Sequence, residues 1–185
     1  MNDDGDHVGG VTGVLKSIGY AIRNIQPTRV IVVFDGKGGS QRRKKRFSGY
    51  KSQRESNKLR VNRQYADLMN DEDERESMKR QYVWLNEILD YLPIQTMIYD
   101  GVEADDIMAY ISTQLLKENE QAVVMSTDKD FLQLVDDTTI VWSPTKKKLY
   151  NTKLVKEEYG IESKNLLLYR VLDGDKSDNI PGVYG

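Results

Sequence analysis

Two short, continuous apolar runs constrain the fold most: Val30-Ile31-Val32-Val33-Phe34, which stops at Asp35, and Ala122-Val123-Val124-Met125, which stops at Ser126-Thr127-Asp128. Runs of this kind, rich in β-branched residues, suit strands buried on both faces. Helical spacing surrounds them. Val11, Val14, Leu15, Ile18, Ile22 and Ile25 predict an amphipathic helix after Gly9-Gly10 that reaches about Asn24 and is ended by Pro27. Tyr82, Leu85, Ile88, Leu89 and Leu92 predict another, closed by Pro93, with Asp71-Glu72-Asp73-Glu74 punctuating the chain before it. Residues 94–99 read as a short strand, and Ile107, Ile111 and Leu115 as the buried stripe of a helix beginning near Glu103. Residues 139–142 and 148–150 read as short strands about a Pro144 turn, and residues 154–159 and 164–172 as helices. Strands alternating with helices predict an α/β fold with a mainly parallel sheet. In such sheets ligands gather outside the carboxyl ends of the strands, so Asp35, Asp128 and the start of the Glu103 helix are expected on one rim.

Acids concentrate at these boundaries. Glu103, Asp105 and Asp106 form one cluster, Asp128 and Asp130 a second, and Asp175 and Asp178 a third, with Asp35 joining from a fourth segment. Each cluster alone has a plain explanation, because acids favour the first turn of a helix and cap or solvate turns. Their joint placement favours a site for hard divalent cations, which take oxygen ligands. Two such ions about 3.5–4 Å apart can clamp the attacking and leaving oxygens of a phosphoryl transfer. The chain has no cysteine and a single histidine, His7, which removes disulfides and thiolate zinc sites and argues against histidine-dependent triads. Carboxylates are then the available ligands and bases.

A formal charge of −2 conceals a segregation of sign. Between residues 37 and 63 lie eleven basic residues, among them Lys37, Arg42, Arg43, Lys44, Lys45, Arg46, Lys51 and Arg54, against Glu55 alone. Its first half, with several glycines and serines, reads as a mobile loop, either merely solvated or a phosphate-binding arm. A polyanionic substrate approaching a carboxylate site requires positive charge nearby, which favours the arm. Lys51 and Arg54 are three apart, so in a helix they would share a face and grip one phosphate. Tyr50 is expected to stack on a base or simply to pack. The acidic start lacks the basic and apolar regions of a signal peptide, and no apolar run approaches the ~20 residues that span a bilayer, so a cytoplasmic setting is expected.

Phe34-Asp35-Gly36, Tyr50-Lys51-Ser52-Gln53-Arg54, Gly101-Val102-Glu103-Ala104-Asp105-Asp106, Ser126-Thr127-Asp128-Lys129-Asp130-Phe131-Leu132-Gln133-Leu134 and Gly174-Asp175-Lys176-Ser177-Asp178-Asn179-Ile180-Pro181-Gly182-Val183 follow one another in order. In order and approximate spacing they resemble the structure-specific 5′-nucleases, a group that includes the 5′-nuclease domain of bacterial DNA polymerase I, phage 5′-exonucleases and flap endonucleases. The resemblance implies a PIN-like (Rossmann-like) catalytic domain over residues 1–162, with residues 37–82 as a basic helical arch. It also implies the first part of a helix–three-turn–helix element over residues 163–185. It implies metal-ligand roles for Asp35, Glu103, Asp105, Asp106 and Asp128 at one ion and for Asp130, Asp175 and Asp178 at a second, the ions being Mg²⁺ or Mn²⁺. Lys51 and Arg54 would bind and polarise the scissile phosphate, while Arg42, Arg43, Lys44, Lys45, Arg46, Tyr50 and Gly182 would contact DNA. A K⁺ site would accompany a complete helix–three-turn–helix.

The activity so implied is a metal-dependent 5′-3′ exonuclease or flap endonuclease acting as a monomer near the 5′ ends of branched or primer-containing DNA in replication and repair. A replication polymerase or single-strand-binding protein would be its partner, and a bacterial or phage-infected cytoplasm its setting. The family's first strand, with its additional aspartate, has no counterpart before Gly10, and the sequence stops within the duplex-binding element. A chain truncated at both ends is therefore expected. The alternatives are a catalytically impaired nucleic-acid-binding fragment and, from another class, a phosphotransferase using Asp128 and Asp130, which leaves Asp175, Asp178 and the basic arm without a role.

Overall fold

The computed structural model describes residues 6–52, 71–176 and 178–183. In chain order the helices and strands are α1 (Gly9–Ile25), β1 (Ile31–Phe34), α2 (Gln41–Arg46), α3 (Asp71–Asp90), β2 (Gln95–Ile98), α4 (Ala104–Tyr110), β3 (Ala122–Met125), β4 (Thr139–Ser143), β5 (Lys148–Tyr150), α5 (Thr152–Tyr159), α6 (Leu166–Asp173), β6 (Gly174–Asp175) and β7 (Ile180–Pro181). By contacts the chain divides into two units, and the division falls inside β1 and β2, which pair as a two-stranded sheet.

The first unit holds α1 and α3. Its apolar seam is narrow: Val11 and Ile18 are buried on α1 and Leu85 and Leu89 on α3, whereas Val14, Ile22, Tyr82, Ile88 and Leu92 of the predicted stripes are exposed. A single helix–helix seam covers only one line of positions. Gly10 N–H donates to Gln81 Oε1 at 2.8 Å across this seam. The helix α1 ends where expected, with Gln26 left-handed at φ 50° and its N–H on Ile22 O, just before Pro27. The acidic patch predicted to punctuate the chain before the second helix is itself helical, being the first residues of α3. Glutamate, arginine and lysine are good helix formers, and Glu76 and Lys79 pair three residues apart at 2.9 Å.

The second unit is built on β3, β4 and β5, with β3 parallel to β4 and β5 antiparallel to β4. The β4–β5 hairpin turns at Pro144, as the sequence predicts. Val124, Phe131, Leu132, Val135, Val141, Tyr150, Val155 and Leu166 form its core. Asn151 caps α5, its Oδ1 accepting from Leu154 N–H at 2.9 Å, and Gly160 ends that helix in the left-handed region at φ 71°.

Three expectations are corrected. The strand β1 is half-buried along its whole length, since among the described residues it has one neighbour, β2. The stripe Ile107, Ile111, Leu115 does not persist: α4 widens into a π-helical turn over Ile111–Leu115, whose wider spacing buries Ser112 and exposes Leu115. The first half of the basic tract, read as a loop, contains α2, because its run of glutamine, arginine and lysine favours a helix. Among the described residues no helix is long and apolar enough to cross a membrane.

Candidate active site

All the predicted site residues within the described range lie in the second unit. Asp35 follows β1 directly, and its Oδ1 accepts from Ala104 N–H at 2.7 Å, capping α4 from outside that helix. Glu103, the residue at the helix's own capping position, makes no such bond, so its carboxylate is available to the site. The segment after β1 is laced to the segment before α4: Gly36 N–H donates to Val102 O at 3.1 Å and Lys37 N–H to Asp100 Oδ1 at 3.2 Å. The approach at Gly36 admits no side chain, since a Cβ there would lie 1.7 Å from Tyr99 O. This lacing brings Asp35 beside the Glu103, Asp105 and Asp106 cluster.

Two basic residues enter that cluster. Arg43 donates through Nη1 and Nη2 to Asp106, at 2.9 and 2.7 Å, and its Nη1 also meets Glu103 Oε2. Lys51 Nζ donates to Glu103 Oε1 at 2.6 Å. Glu103 is only 5% exposed, and such a buried carboxylate requires partners. The bonds from Arg43 hold Asp106 below the ordinary aspartate range. Burial works against the charged Lys51, but its hydrogen bonds to Glu103 and Tyr50 outweigh that and hold its pKa above the ordinary lysine value.

Tyr50 is placed otherwise than for base stacking. It is 6% exposed, its hydroxyl donates to Glu103 Oε2 at 3.3 Å, and the Lys51 ammonium lies 4.9 Å from its ring centroid. Packing, the plainer of its two expected roles, is the one it has here. Of the α2 cations only Arg43 turns inward; Arg42, Lys44, Lys45 and Arg46 are exposed. Lys51 lies in a turn rather than a helix, so the shared helical face does not apply to it, and Arg54 falls outside the described residues.

Asp128 caps the short 3₁₀ turn Lys129–Leu134, accepting from Asp130 N–H at 2.9 Å. Asp175 and Asp178 are half-buried on the β6–β7 hairpin. That hairpin closes on α6 through Val183 N–H to Leu172 O at 2.9 Å, and Gly182 has no room for a Cβ, which would meet Leu172 O at 2.5 Å. The charge of Asp128 is felt by acids of two groups. Burial and then the charge of Asp128 push the Asp105 carboxyl up, with Asp35 and Glu103 adding to it. Burial and then Asp128 likewise push Asp130 up, with Asp175 and Asp178 adding to it.

Among the described residues no three acids converge into a ready cation cage. The donor set nevertheless fits a hard divalent ion in chemistry: it is all carboxylate oxygen, and two of its members are held protonated more readily than usual by burial and like charge, the cost a cation relieves. Sequence reasoning missed the inward role of Arg43, indistinguishable in the sequence from its basic neighbours. It also missed Arg170, whose Nη2 meets Asp130 Oδ1 at 3.0 Å from α6. No spacing signal links those two residues.

The sequence matches the family described as 5′-3′ exonuclease, N-terminal resolvase-like domain, over residues 1–160. It is 31% identical over 182 residues to a 5′-3′ exonuclease of Buchnera aphidicola subsp. Acyrthosiphon pisum (strain APS), covering 98% of this chain and 58% of that protein. It is 32% identical over 181 residues to the thermostable DNA polymerase I of Thermus aquaticus, covering 98% of this chain and 19% of the polymerase. The chain therefore spans little more than half the length of the first and a fifth of the second. Among solved structures, the bacteriophage T5 flap endonuclease in a pseudo-enzyme-product complex with DNA and metal ions superposes with a TM-score of 0.76 at 24% identity, covering 95% of this chain and 62% of that one. That likeness shows the shared α/β fold. With its family matched over residues 1–160, the chain belongs to the 5′-3′ exonuclease N-terminal resolvase-like domain family.

Proposed function

We propose that this chain carries the catalytic site of a metal-dependent 5′-nuclease that hydrolyses phosphodiesters near the 5′ ends of flapped or primer-containing DNA in replication and repair. The observation that carries the reading is the convergence of acid and base at the start of α4: Asp35 caps that helix at 2.7 Å, Lys51 Nζ lies 2.6 Å from Glu103, and Arg43 grips Asp106 at 2.9 and 2.7 Å. Asp35, Glu103, Asp105, Asp106 and Asp128 would hold one divalent ion, Mg²⁺ or Mn²⁺, and Asp130, Asp175 and Asp178 a second. Bound there, the two ions supply Lewis-acid stabilisation to the attacking and leaving oxygens of an in-line displacement by water.

The chain's own residues do the rest. Lys51, with Arg54, stabilises negative charge on the phosphoryl oxygens, and a cation placed before the reaction costs no reorganisation when that charge develops. Arg43 exchanges Asp106 for a phosphate when substrate arrives, since a guanidinium fits either group with two parallel bonds. Arg42, Lys44, Lys45 and Arg46 on α2 draw in the strand through its backbone charge, and Gly182, which follows β7, contacts the duplex through its backbone. The products are a 5′-phosphate and a 3′-hydroxyl. Residues 1–162 act as the catalytic domain, with 37–82 as its arch, and 163–185 belong to a duplex-binding element that would take K⁺. A cytoplasmic monomer working beside a replication polymerase or single-strand-binding protein suits this chemistry.

The alternative, a nucleic-acid-binding module without turnover, is favoured by one observation: Arg43 and Lys51 already neutralise Glu103 and Asp106. A 5′-labelled flap incubated with Mg²⁺ separates the two readings. Cleavage that is lost in Asp128→Ala supports the nuclease, and binding without cleavage by either protein sinks it.

A further inference from the structure

Lys51 is not glycine, yet its backbone lies in the left-handed region at φ 55°. A residue with a Cβ keeps that conformation only where its surroundings over-determine it, and such residues gather at functional sites. Here the surroundings are specific. Lys51 N–H donates to Asp178 O at 3.0 Å. The side-chain amide of Asn179 donates through Nδ2 to Gly49 O at 3.0 Å and to Ser52 Oγ at 3.2 Å, spanning the turn on either side of Lys51. The turn is closed by Ser52 N–H and Ser52 Oγ–H, both on Gly49 O, at 3.2 and 3.0 Å.

The fit around the amide is close. A Cβ at Gly49 would lie 3.2 Å from Asn179 Nδ2 and 2.8 Å from the Phe47 ring, so glycine lets the amide reach the turn. Asn179 is itself left-handed at φ 59°, a conformation asparagine tolerates better than most residues. The turn held in this way aims the Lys51 ammonium at Glu103.

We propose that Asn179 is a positioning residue for Lys51: its amide clamps the Gly49–Ser52 turn, fixes Lys51 in its left-handed conformation, and ties it to the hairpin that carries Asp175 and Asp178. The lysine that meets the scissile phosphate and the acids of the second ion are then set as one assembly. The consequence for cleavage rests on the nuclease reading. The clamp does not, since hydrogen bonds within the chain carry it.

Two variants test it. Asn179→Gly keeps the left-handed backbone accessible and removes the amide, while Asn179→Asp keeps the side-chain shape and removes the donor. Hydrogen exchange of the cation-free protein is expected to show the Lys51 amide opening at least about tenfold faster in both, with β3 and β4 unchanged. Single-turnover cleavage of a saturating 5′ flap with Mg²⁺ is expected to fall about tenfold with flap affinity changed less than about twofold. In a Lys51→Ala background that loss is expected to vanish, because the amide acts only through the lysine. Unchanged exchange at Lys51, or an equal loss in the Lys51→Ala background, overturns the proposal. If the unmutated protein cleaves no flap, the nuclease reading fails and the exchange comparison alone decides the clamp.

Discussion

Arg43 grips Asp106 with both terminal nitrogens of its guanidinium, at 2.9 and 2.7 Å, while its Nη1 also meets the buried Glu103. In Arg43→Ala the acids lose their principal counter-ion. Breaking a fully buried pair costs about 3–5 kcal/mol, but solvent reaches Arg43 and Asp106, which are 38% and 47% exposed, so roughly 1–2 kcal/mol is expected. Urea unfolding in EDTA should show that loss, and millimolar Mg²⁺ should narrow it by supplying positive charge to the same acids. An equal loss with and without the cation would count against any metal at Glu103 and Asp106.

Asp105 carries a pH prediction. Its pKa is raised, first by burial and next by Asp128, so its contribution to stability is fully present below the unfolded value, 3.8, and is lost as pH rises through the folded value. Cation-free protein therefore loses stability through this group between acid pH and neutrality. Asp105→Asn is expected to raise Tm in EDTA at pH 7.5, to give no gain at pH 4, and to lower Mg²⁺-dependent cleavage at least about a hundredfold. Asp130 is a less clean test because it also pairs with Arg170. A Tm for Asp105→Asn no higher than the parent's at pH 7.5 removes the argument.

Away from the site, Lys148 and then Tyr150, whose hydroxyl is 2.9 Å away, pull the Glu158 carboxyl down to about 2 by hydrogen bonding. A depressed acid contributes stability above its unfolded value, 4.5, and loses it as pH falls toward about 2. Glu158→Gln should flatten the acid limb of a Tm-against-pH curve between those values and lower Tm slightly at pH 7. Because the carboxylate is exposed, the difference should shrink in high salt. A salt-independent difference would place the effect in packing instead.

Gly36→Ala is a steric prediction. The added Cβ cannot coexist with Tyr99 O, so the chain must shift where it delivers Asp35 to Ala104 N–H. A loss of at least about 3 kcal/mol in chemical denaturation is expected. A variant of parental stability would show that this approach is not kept in solution.

The sequence disclosed the acids and the elements bearing them better than it disclosed their partners. Asp35 and Asp128 were legible because each ends a β-branched run that can only be a strand, and Asp105 and Asp106 because they open a helix. The α2 helix was hidden by the turn formers on either side of it, and the π-helical turn after α4 because one wide turn shifts the phase that apolar spacing reports. Arg43 among six consecutive charged or amide residues, Arg170 on an apolar helix, and Asn179 inside an acidic turn have no local signature at all. Each acquires its role from a residue between 40 and 130 positions away, and single-sequence periodicity reaches only a few residues.

The buried members of the main core cluster of the second unit all lie between Val124 and Leu166, with Met108 of α4 packed against them. Contacts so close in sequence close small loops, and chains rich in them fold fast. Assembly is then expected to be ordered: Asp128 and Asp130 ride on a nucleus that can form by itself, while Asp35 must be carried in from far upstream. Truncating Val141 or Val155 should accordingly slow refolding, and breaking the Asp35 cap with Asp35→Ala should chiefly quicken unfolding. A lineage could thus alter the upstream segment that carries Asp35 without endangering the nucleus, which makes the placement of that acid easier to change than the scaffold beneath Asp128 and Asp130.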